Sequence, residues 1–107
     1  MIYKIKYTAS SIIDLKAISD YISLELCNEN AAKKIIKSII DSIDYLSTTP
    51  FMHKIIDDDY WSKRGLRVYS IKNYTIMYII KKATEEVIIG RIIYSKMNIN
   101  EQLKKIK

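Results

Sequence analysis

Apolar and polar residues alternate at the start of the chain, and then the period changes. In "IYKIKY", residues 2–7, lysines alternate with apolar and aromatic residues, which predicts a strand with one face in water. From Ser11 the apolar residues recur every three or four positions, which predicts a helix that runs to about Cys27. Ser11 and Asp14 are placed as a capping pair for its first turn.

A second helical pattern follows the polar stretch "NEN" at residues 28–30. Asn28 or Asn30 is the expected N-cap, and the apolar positions continue to Leu46, next to the stop signal "STTP". Because the break between the helices is short, they are expected to form an antiparallel hairpin. A hairpin of two amphipathic helices needs another layer to cover its apolar faces.

The second half of the chain is expected to supply that layer. Residues 51–63 have no regular period and predict an irregular connection, in which Trp61 anchors the chain and residues 57–59 form a solvated acidic turn. Strands are then expected at about 66–71, 74–81 and 87–94, separated by short turns.

This order of elements predicts an α+β fold in a single domain, residues 1–107. An N-terminal strand and a helical hairpin precede a three-stranded antiparallel meander, and the helices pack on one face of the sheet. Tyr69, Tyr74 and Tyr78 are expected to lie on the core face beneath the helices. The opposite face is expected to be open to solvent or to a ligand.

Composition narrows the range of functions. A chain of 107 residues suffices for one core, and 49% hydrophobic with 28% charged residues is typical of an ordered globular protein. The lone cysteine, Cys27, excludes an internal disulfide framework, and the sequence contains no metal-ligand cluster or glycine-rich phosphate loop, so no cofactor or metal is expected. No apolar run approaches the roughly 20 residues that span a bilayer, and a signal-peptide pattern is absent, so we expect a cytoplasmic protein without a membrane partner.

Positive charge is concentrated in the second half of the chain. The net charge is +6; residues 1–53 contain six lysines and six acidic residues, whereas residues 54–107 contain twelve basic and six acidic residues. A basic surface of this kind favours a polyanionic or acidic partner.

Four segments carry a recognisable pattern: "YTASSIIDLKAISDYISLEL", "NAAKKIIKSIIDSIDYLSTTP", "GLRVYSIKNYTIMYIIKK" and "VIIGRIIYSKMNINEQL". Their order and spacing resemble the RelE/ParE superfamily of toxins from bacterial toxin–antitoxin modules, over nearly the whole chain. The strongest parts include Asp14 with Leu15 in the first helix, the hairpin at residues 73–78, and Arg91 followed by Tyr94 in the last strand.

The resemblance implies one of two activities. One branch of the superfamily, which includes RelE and YoeB, cuts messenger RNA in the ribosomal A site. The other branch, which includes ParE, inhibits DNA gyrase with no known nuclease chemistry. Both imply a cognate antitoxin protein as a partner, and the oligomeric state does not follow from the sequence.

Metal-independent RNA cleavage needs a general base, a general acid and fixed cations around the phosphate. The resemblance points to Arg67, Arg91 and Tyr94 as catalytic residues, with the arginines at the phosphate and Tyr94 in proton transfer or base stacking. The candidate nucleic-acid-binding residues are Lys63, Arg64 and Lys96.

The residue at position 75 and the faces of the two arginines bear on whether the chain can cleave RNA. Thr75 occupies the place where nuclease members carry an arginine, and threonine cannot balance charge on a phosphate. A turn of two or four residues puts Arg67 on the face of Tyr74 and away from Thr75, whereas a turn of three or five residues reverses this. Strict alternation also points Arg91 away from Tyr94, unless a bulge or the strand end brings them together.

The segment "WSKR" and Tyr94 favour ribosome-dependent mRNA cleavage as the sequence-based prediction, with the ribosome and mRNA as partners. The alternative is a ParE-like, non-catalytic inhibitor of DNA gyrase, which Thr75 and the long helices favour. A third possibility is a nontoxic remnant that only binds an antitoxin. In the first two cases the antitoxin is expected to be acidic and to cover the basic face of the sheet.

Overall fold

The computed structural model of the chain describes residues 2–95, and residues 1 and 96–107 lie outside the description. The predicted order of a strand, two helices and a meander is confirmed. Across residues 2–95, no helix combines the length and apolarity needed to cross a membrane. The elements are β1 (Lys4–Tyr7), α1 (Ala9–Asp20), a π-helical turn (Tyr21–Glu25), α2 (Glu29–Tyr45), α3 (Asp59–Ser62), β2 (Arg67–Ile71), β3 (Tyr74–Lys81) and β4 (Glu86–Tyr94).

The four strands form one sheet in the order β1, β4, β3, β2. β4 pairs with β1 in parallel and with β3 in antiparallel orientation, and β3 pairs with β2 in antiparallel orientation. The predicted three-stranded meander is therefore present, and the N-terminal strand extends it beside β4. β1 and β2 are the two edges of the sheet.

The main core lies between the helices and one face of the sheet. Ile39 and Ile43 of α2 and its C-cap residue Leu46 are fully buried, as the apolar stripe predicts. Burial of each such side chain contributes roughly 1.5–3 kcal/mol. The strands supply Tyr74, Ile76, Tyr78, Val87, Ile89 and Ile92, and Tyr69 packs against this core at its margin.

The caps of the helices differ in part from the prediction. Thr8 is the N-cap of α1, because its Oγ1 accepts a hydrogen bond from the backbone N–H of Ser11 at 3.1 Å. The predicted pairing of Ser11 with Asp14 as caps is wrong: Ser11 is buried, and Asp14 turns toward β4. Asn28, one of the two predicted caps of α2, accepts from the N–H of Ala31 at 3.0 Å.

The other face of the sheet is not open along its whole area. Leu66, Met77 and Ile93 are buried in a second cluster, against which Trp61 packs together with Ile56. This corrects the expectation of a bare face, because the connection between α2 and β2 folds back over the sheet. The predicted role of Trp61 as an anchor is confirmed.

The acidic stretch at residues 57–59 is more than a solvated turn. Asp58 is the N-cap of α3, and its Oδ1 accepts a hydrogen bond from the backbone N–H of Trp61 at 2.9 Å. This bond fixes the short helix in the orientation that turns the indole of Trp61 toward the second cluster.

A β-bulge interrupts β4 at Gly90. Met77 pairs with Arg91, and the next residue of β3 pairs with Ile89, so Gly90 has no partner on β3. The extra residue shifts the alternation of side chains along β4. As a result Ile92, like Ile89, faces the helices and joins the main core.

Replacing Ile39 with alanine tests the position of the main core. Ile39 is fully buried, so we expect Ile39→Ala to lower the free energy of unfolding by about 2–5 kcal/mol in a urea titration. Ile13, which is 66% exposed on α1, provides the matched control, and Ile13→Ala should change that free energy by less than about 0.5 kcal/mol. Equal effects of the two substitutions would contradict this core.

Candidate functional site

The carboxylate of Asp14 joins α1 to the bulge in β4. Arg91 donates from Nε to Asp14 Oδ2 at 2.8 Å and from Nη2 to Oδ1 at 3.1 Å. The backbone N–H of Ile92 also donates to Oδ2, at 2.9 Å. The carboxylate therefore accepts three hydrogen bonds from two consecutive residues next to the bulge.

Thr8 is a hydrogen-bond donor to the backbone carbonyl oxygens of the same bulge. Its Oγ1 lies 2.9 Å from the carbonyl oxygens of both Ile89 and Gly90, and it donates its single proton to one of them at a time. Thr8 is the N-cap of α1 and Asp14 lies in its second turn, so the N-terminal part of one helix satisfies the irregular backbone of β4.

Arg91 is consequently committed to an internal ion pair. Its side chain is 21% exposed and that of Asp14 is 13% exposed. Its hydrogen bonds with Asp14 raise the pKa of Arg91 above its ordinary value. With its charge balanced by a fixed carboxylate, Arg91 has little electrostatic attraction left for a phosphate.

Tyr94 ends β4 on the side of the sheet that faces the helices. It pairs with Tyr74, and the two rings meet edge to face with centroids 5.8 Å apart. The bulge lies before Arg91 and leaves the alternation from Arg91 to Tyr94 unchanged. Arg91 pairs with Met77 of the second cluster, so the backbone directs Arg91 and Tyr94 to opposite sides of the sheet, as strict alternation predicts. Tyr94 is 38% exposed.

Arg67 occupies the other edge of the sheet. The turn at residues 72–73 has two residues, so Arg67 pairs with Tyr78 and faces the helices, as predicted for a turn of this length. Its Nη1 donates to the carbonyl oxygen of His53 at 2.6 Å, and its guanidinium carbon lies 5.3 Å from the centre of the Phe51 ring.

Arg67 and Thr75 lie on opposite faces. Thr75 is buried on the face of the second cluster, where its hydroxyl lies 2.9 Å from the hydroxyl of Ser95. Arg67 therefore does not supply the cation that is missing at Thr75.

The sheet also separates Arg67 from Tyr94. Their partners on β3, Tyr78 and Tyr74, are four residues apart, which corresponds to roughly 13 Å along the strand. The two residues also lie on strands that flank β3 on opposite sides, roughly 10 Å apart. Arg67 and Tyr94 share a face of the sheet, but the three predicted catalytic residues do not meet in one pocket.

Lys63 and Arg64 follow α3 and are exposed. Arg64 Nη1 donates to the carbonyl oxygen of Tyr60 at 2.9 Å, and its guanidinium carbon lies 3.6 Å from the centre of the Tyr60 ring. Because α3 packs on the face opposite to Arg67, these residues do not join it around one phosphate. Lys96, the remaining candidate, lies outside the described residues.

His53 lies beside Arg67 and Tyr69, and its packing there could not be predicted from the sequence. Its ring stacks on Tyr69, with centroids 4.0 Å apart and planes 8° from parallel. Burial lowers the pKa of His53 and raises the pKa of Tyr69 to about 12. A single histidine in a segment without a period gives no sequence signal for this contact. Within residues 2–95, no three His, Cys, Asp or Glu side chains form a group that could hold a metal ion.

Comparison with known proteins identifies a family. The family model described as "ParE toxin of type II toxin-antitoxin system, parDE" matches residues 5–99. No curated protein matches the chain.

Two solved structures share the fold. The chromosomal ParDE toxin–antitoxin system of P. aeruginosa has a TM-score of 0.70 and 20% identity, covering 89% of this chain and 98% of that chain. The RelBE2 toxin–antitoxin complex of Mycobacterium tuberculosis has a TM-score of 0.65 and 16% identity, covering 88% and 99%. Both confirm the predicted α+β fold.

Replacing Asp14 with asparagine tests the role of the internal ion pair. Asp14→Asn removes the charge that balances Arg91, so we expect the free energy of unfolding to fall by about 1.5–3 kcal/mol, the range for hydrogen bonds to a charged group. Asp41 forms an exposed pair with Lys37, and Asp41→Asn should cost less than about 0.5 kcal/mol. A small and equal loss in both variants, measured by urea titration, would refute an anchoring role for Asp14.

His53 predicts a pH dependence of stability. Since its pKa is lower in the folded state, the unfolded chain binds the proton more readily, and stability is lost as the pH falls below about 6.5. His53→Phe keeps an aromatic ring against Tyr69 and cannot titrate. In urea titrations between about pH 7.5 and pH 5.5, the wild type should lose stability relative to this variant; a constant difference would contradict the assignment.

Proposed function

Because this chain belongs to the ParE toxin family of type II toxin–antitoxin systems, we propose that it inhibits DNA gyrase by binding and does not cut RNA. The observation that carries the proposal is the separation of the three candidate catalytic residues. Arg91 is bound to Asp14, Tyr94 packs on Tyr74, and Arg67 lies at the opposite edge of the sheet. Cleavage of RNA needs these groups within hydrogen-bond reach of one phosphate.

Position 75 supports the same proposal. Thr75 is buried, and its hydroxyl is within hydrogen-bond distance of Ser95. No cation at this position is available to balance the charge that develops on a phosphate during cleavage. We therefore favour the gyrase alternative over the mRNA cleavage that "WSKR" and Tyr94 suggest from the sequence.

The outer surface of the helical hairpin is suited to a protein target. Ile13, Tyr21 and Leu24 recur along α1 and the π-helical turn and are 66%, 57% and 72% exposed. Exposed apolar side chains that recur on one side of a helix favour a protein–protein contact. We assign the gyrase contact to this surface.

A groove of about 380 Å³ between α1 and α2 offers a further contact area on the helical hairpin. Its lining combines apolar with charged side chains, a composition that favours a protein partner. The lining residues are Ser19, Lys33, Ile36, Lys37, Ile40 and Asp41.

A cognate antitoxin is the second partner in this proposal. Both similar structures are toxin–antitoxin systems, and the chain carries a net charge of +6 that suits an acidic protein. The antitoxin would hold the toxin inactive until it is removed.

Two assays of the purified toxin distinguish binding from cleavage. We expect the toxin to inhibit the supercoiling activity of gyrase, and we expect messenger RNA in a translation extract to show no new 5′ ends. Cut messenger together with undisturbed supercoiling would overturn the proposal.

Tyr94→Phe provides a control within the same assays. The phenylalanine ring keeps the contact with Tyr74 and removes only the hydroxyl. A non-catalytic inhibitor should act within about twofold of the wild type, whereas loss of a general acid typically lowers a rate by about 10²–10⁴-fold.

A further inference from the structure

A second exposed apolar surface lies at the end of the sheet where β2 begins and β3 ends. We call it the Phe51 surface, and its members are Phe51, Met52, Ile55, Arg67 and Lys82. Phe51, Met52 and Ile55 are 45%, 55% and 45% exposed, and Ile55 pairs with Arg67 across an isolated bridge. Residues directly opposite each other in such a bridge point to the same side, so Ile55 and Arg67 are neighbours on one surface.

Two cations lie over the same aromatic ring. The guanidinium carbon of Arg67 is 5.3 Å and the Nζ of Lys82 is 5.4 Å from the centre of the Phe51 ring. Both distances are within the range of cation–π attraction. The ring therefore holds two positive charges in place beside exposed apolar side chains.

Neither cation has a carboxylate partner within residues 2–95. The ion pairs in that part of the chain involve other bases, whereas Arg67 donates to the carbonyl oxygen of His53 and Lys82 contacts Phe51. An acidic ligand could approach both charges without first breaking an internal salt bridge, so little of its binding energy would be lost to competition.

The apolar members of the surface favour a protein over a nucleic acid. Met52 and Ile55 offer aliphatic area, which suits the apolar side chains of a protein partner. The face of the Phe51 ring already attracts Arg67 and Lys82, and the ring meets Tyr3 edge to face, so a base would compete with these contacts in order to stack on it.

We propose that the Phe51 surface is a docking site for an acidic, amphipathic segment of the antitoxin. Apolar side chains of that segment would cover Phe51, Met52 and Ile55, and its carboxylates would pair with Arg67 and Lys82. This inference rests on the antitoxin partnership of the proposed function. It is independent of gyrase, because the proposed gyrase contact is on the helical hairpin.

The test measures binding of the full-length toxin to the purified antitoxin encoded in the same module. Lys82→Glu reverses one charge of the surface, and Met52→Ser removes exposed apolar area. We expect each to weaken binding by about tenfold or more, and the salt dependence of binding should decrease for Lys82→Glu.

Two matched controls alter the same chemistry elsewhere. Lys34→Glu makes the same charge reversal on α2, and Ile12→Ser removes a side chain that is 56% exposed, close to the 55% of Met52. Both should bind the antitoxin within about threefold of the wild type. Because all four positions are exposed, we expect every variant to keep the fold, and circular dichroism of each variant checks this.

Four outcomes decide the inference. Antitoxin affinity that is unchanged in both Lys82→Glu and Met52→Ser would overturn it, and so would equal losses in the controls. If Lys82→Glu weakens binding of a single-stranded or duplex oligonucleotide but not of the antitoxin, the occupant is a nucleic acid and the inference is wrong. A toxin that binds its antitoxin through this surface but leaves gyrase active would support the inference and overturn only the proposed target.

Discussion

The carboxylate of Asp14 is the constraint on which the rest of the fold depends. It is 77 residues from Arg91 in sequence, and it bonds both that guanidinium and the backbone N–H of Ile92. A bulge at Gly90 interrupts the pairing with β3, so backbone donors and acceptors that a regular ladder would satisfy need other hydrogen-bond partners. Asp14 and Thr8 meet that need, so the first helix and the last strand fix each other.

The bulge decides how both faces of the sheet are filled. Beyond it, Ile92 joins the main core and Ile93 joins the cluster beneath Trp61. A regular strand would exchange these two faces, because side chains alternate with a period of two. Arg91, next to the bulge, is held by Asp14 of α1, which balances its charge. One irregular residue, Gly90, therefore accounts for the filling of two cores, beside an arginine to which the family resemblance assigned catalysis.

The elements could be predicted from the sequence because their signals are local. The stripe that ends at Leu46 and the two-residue turn that sets the face of Arg67 depend on neighbours in the chain. The bulge could not be predicted, since a glycine within a strand pattern has several explanations. For Trp61 the anchoring role could be predicted but not the face of the sheet that it covers, because its segment has no period. The bonds of Thr8 to the carbonyl oxygens of Ile89 and Gly90 could not be predicted, because they depend on the position of β4. These contacts join distant parts of the chain.

Catalysis and binding place different demands on the same cations. A nuclease must direct several of them at one phosphate, whereas a binding protein can use each beside its own apolar neighbours. Here Arg91 is held by Asp14, while Arg67 is held by a carbonyl group and an aromatic ring that leave its charge without a carboxylate partner in residues 2–95. Arg67 and Lys82 thus keep their charge next to exposed Phe51 and Met52. This pairing of free charge with apolar area suits a protein surface better than a phosphate site, because a phosphate offers nothing to cover the apolar side chains.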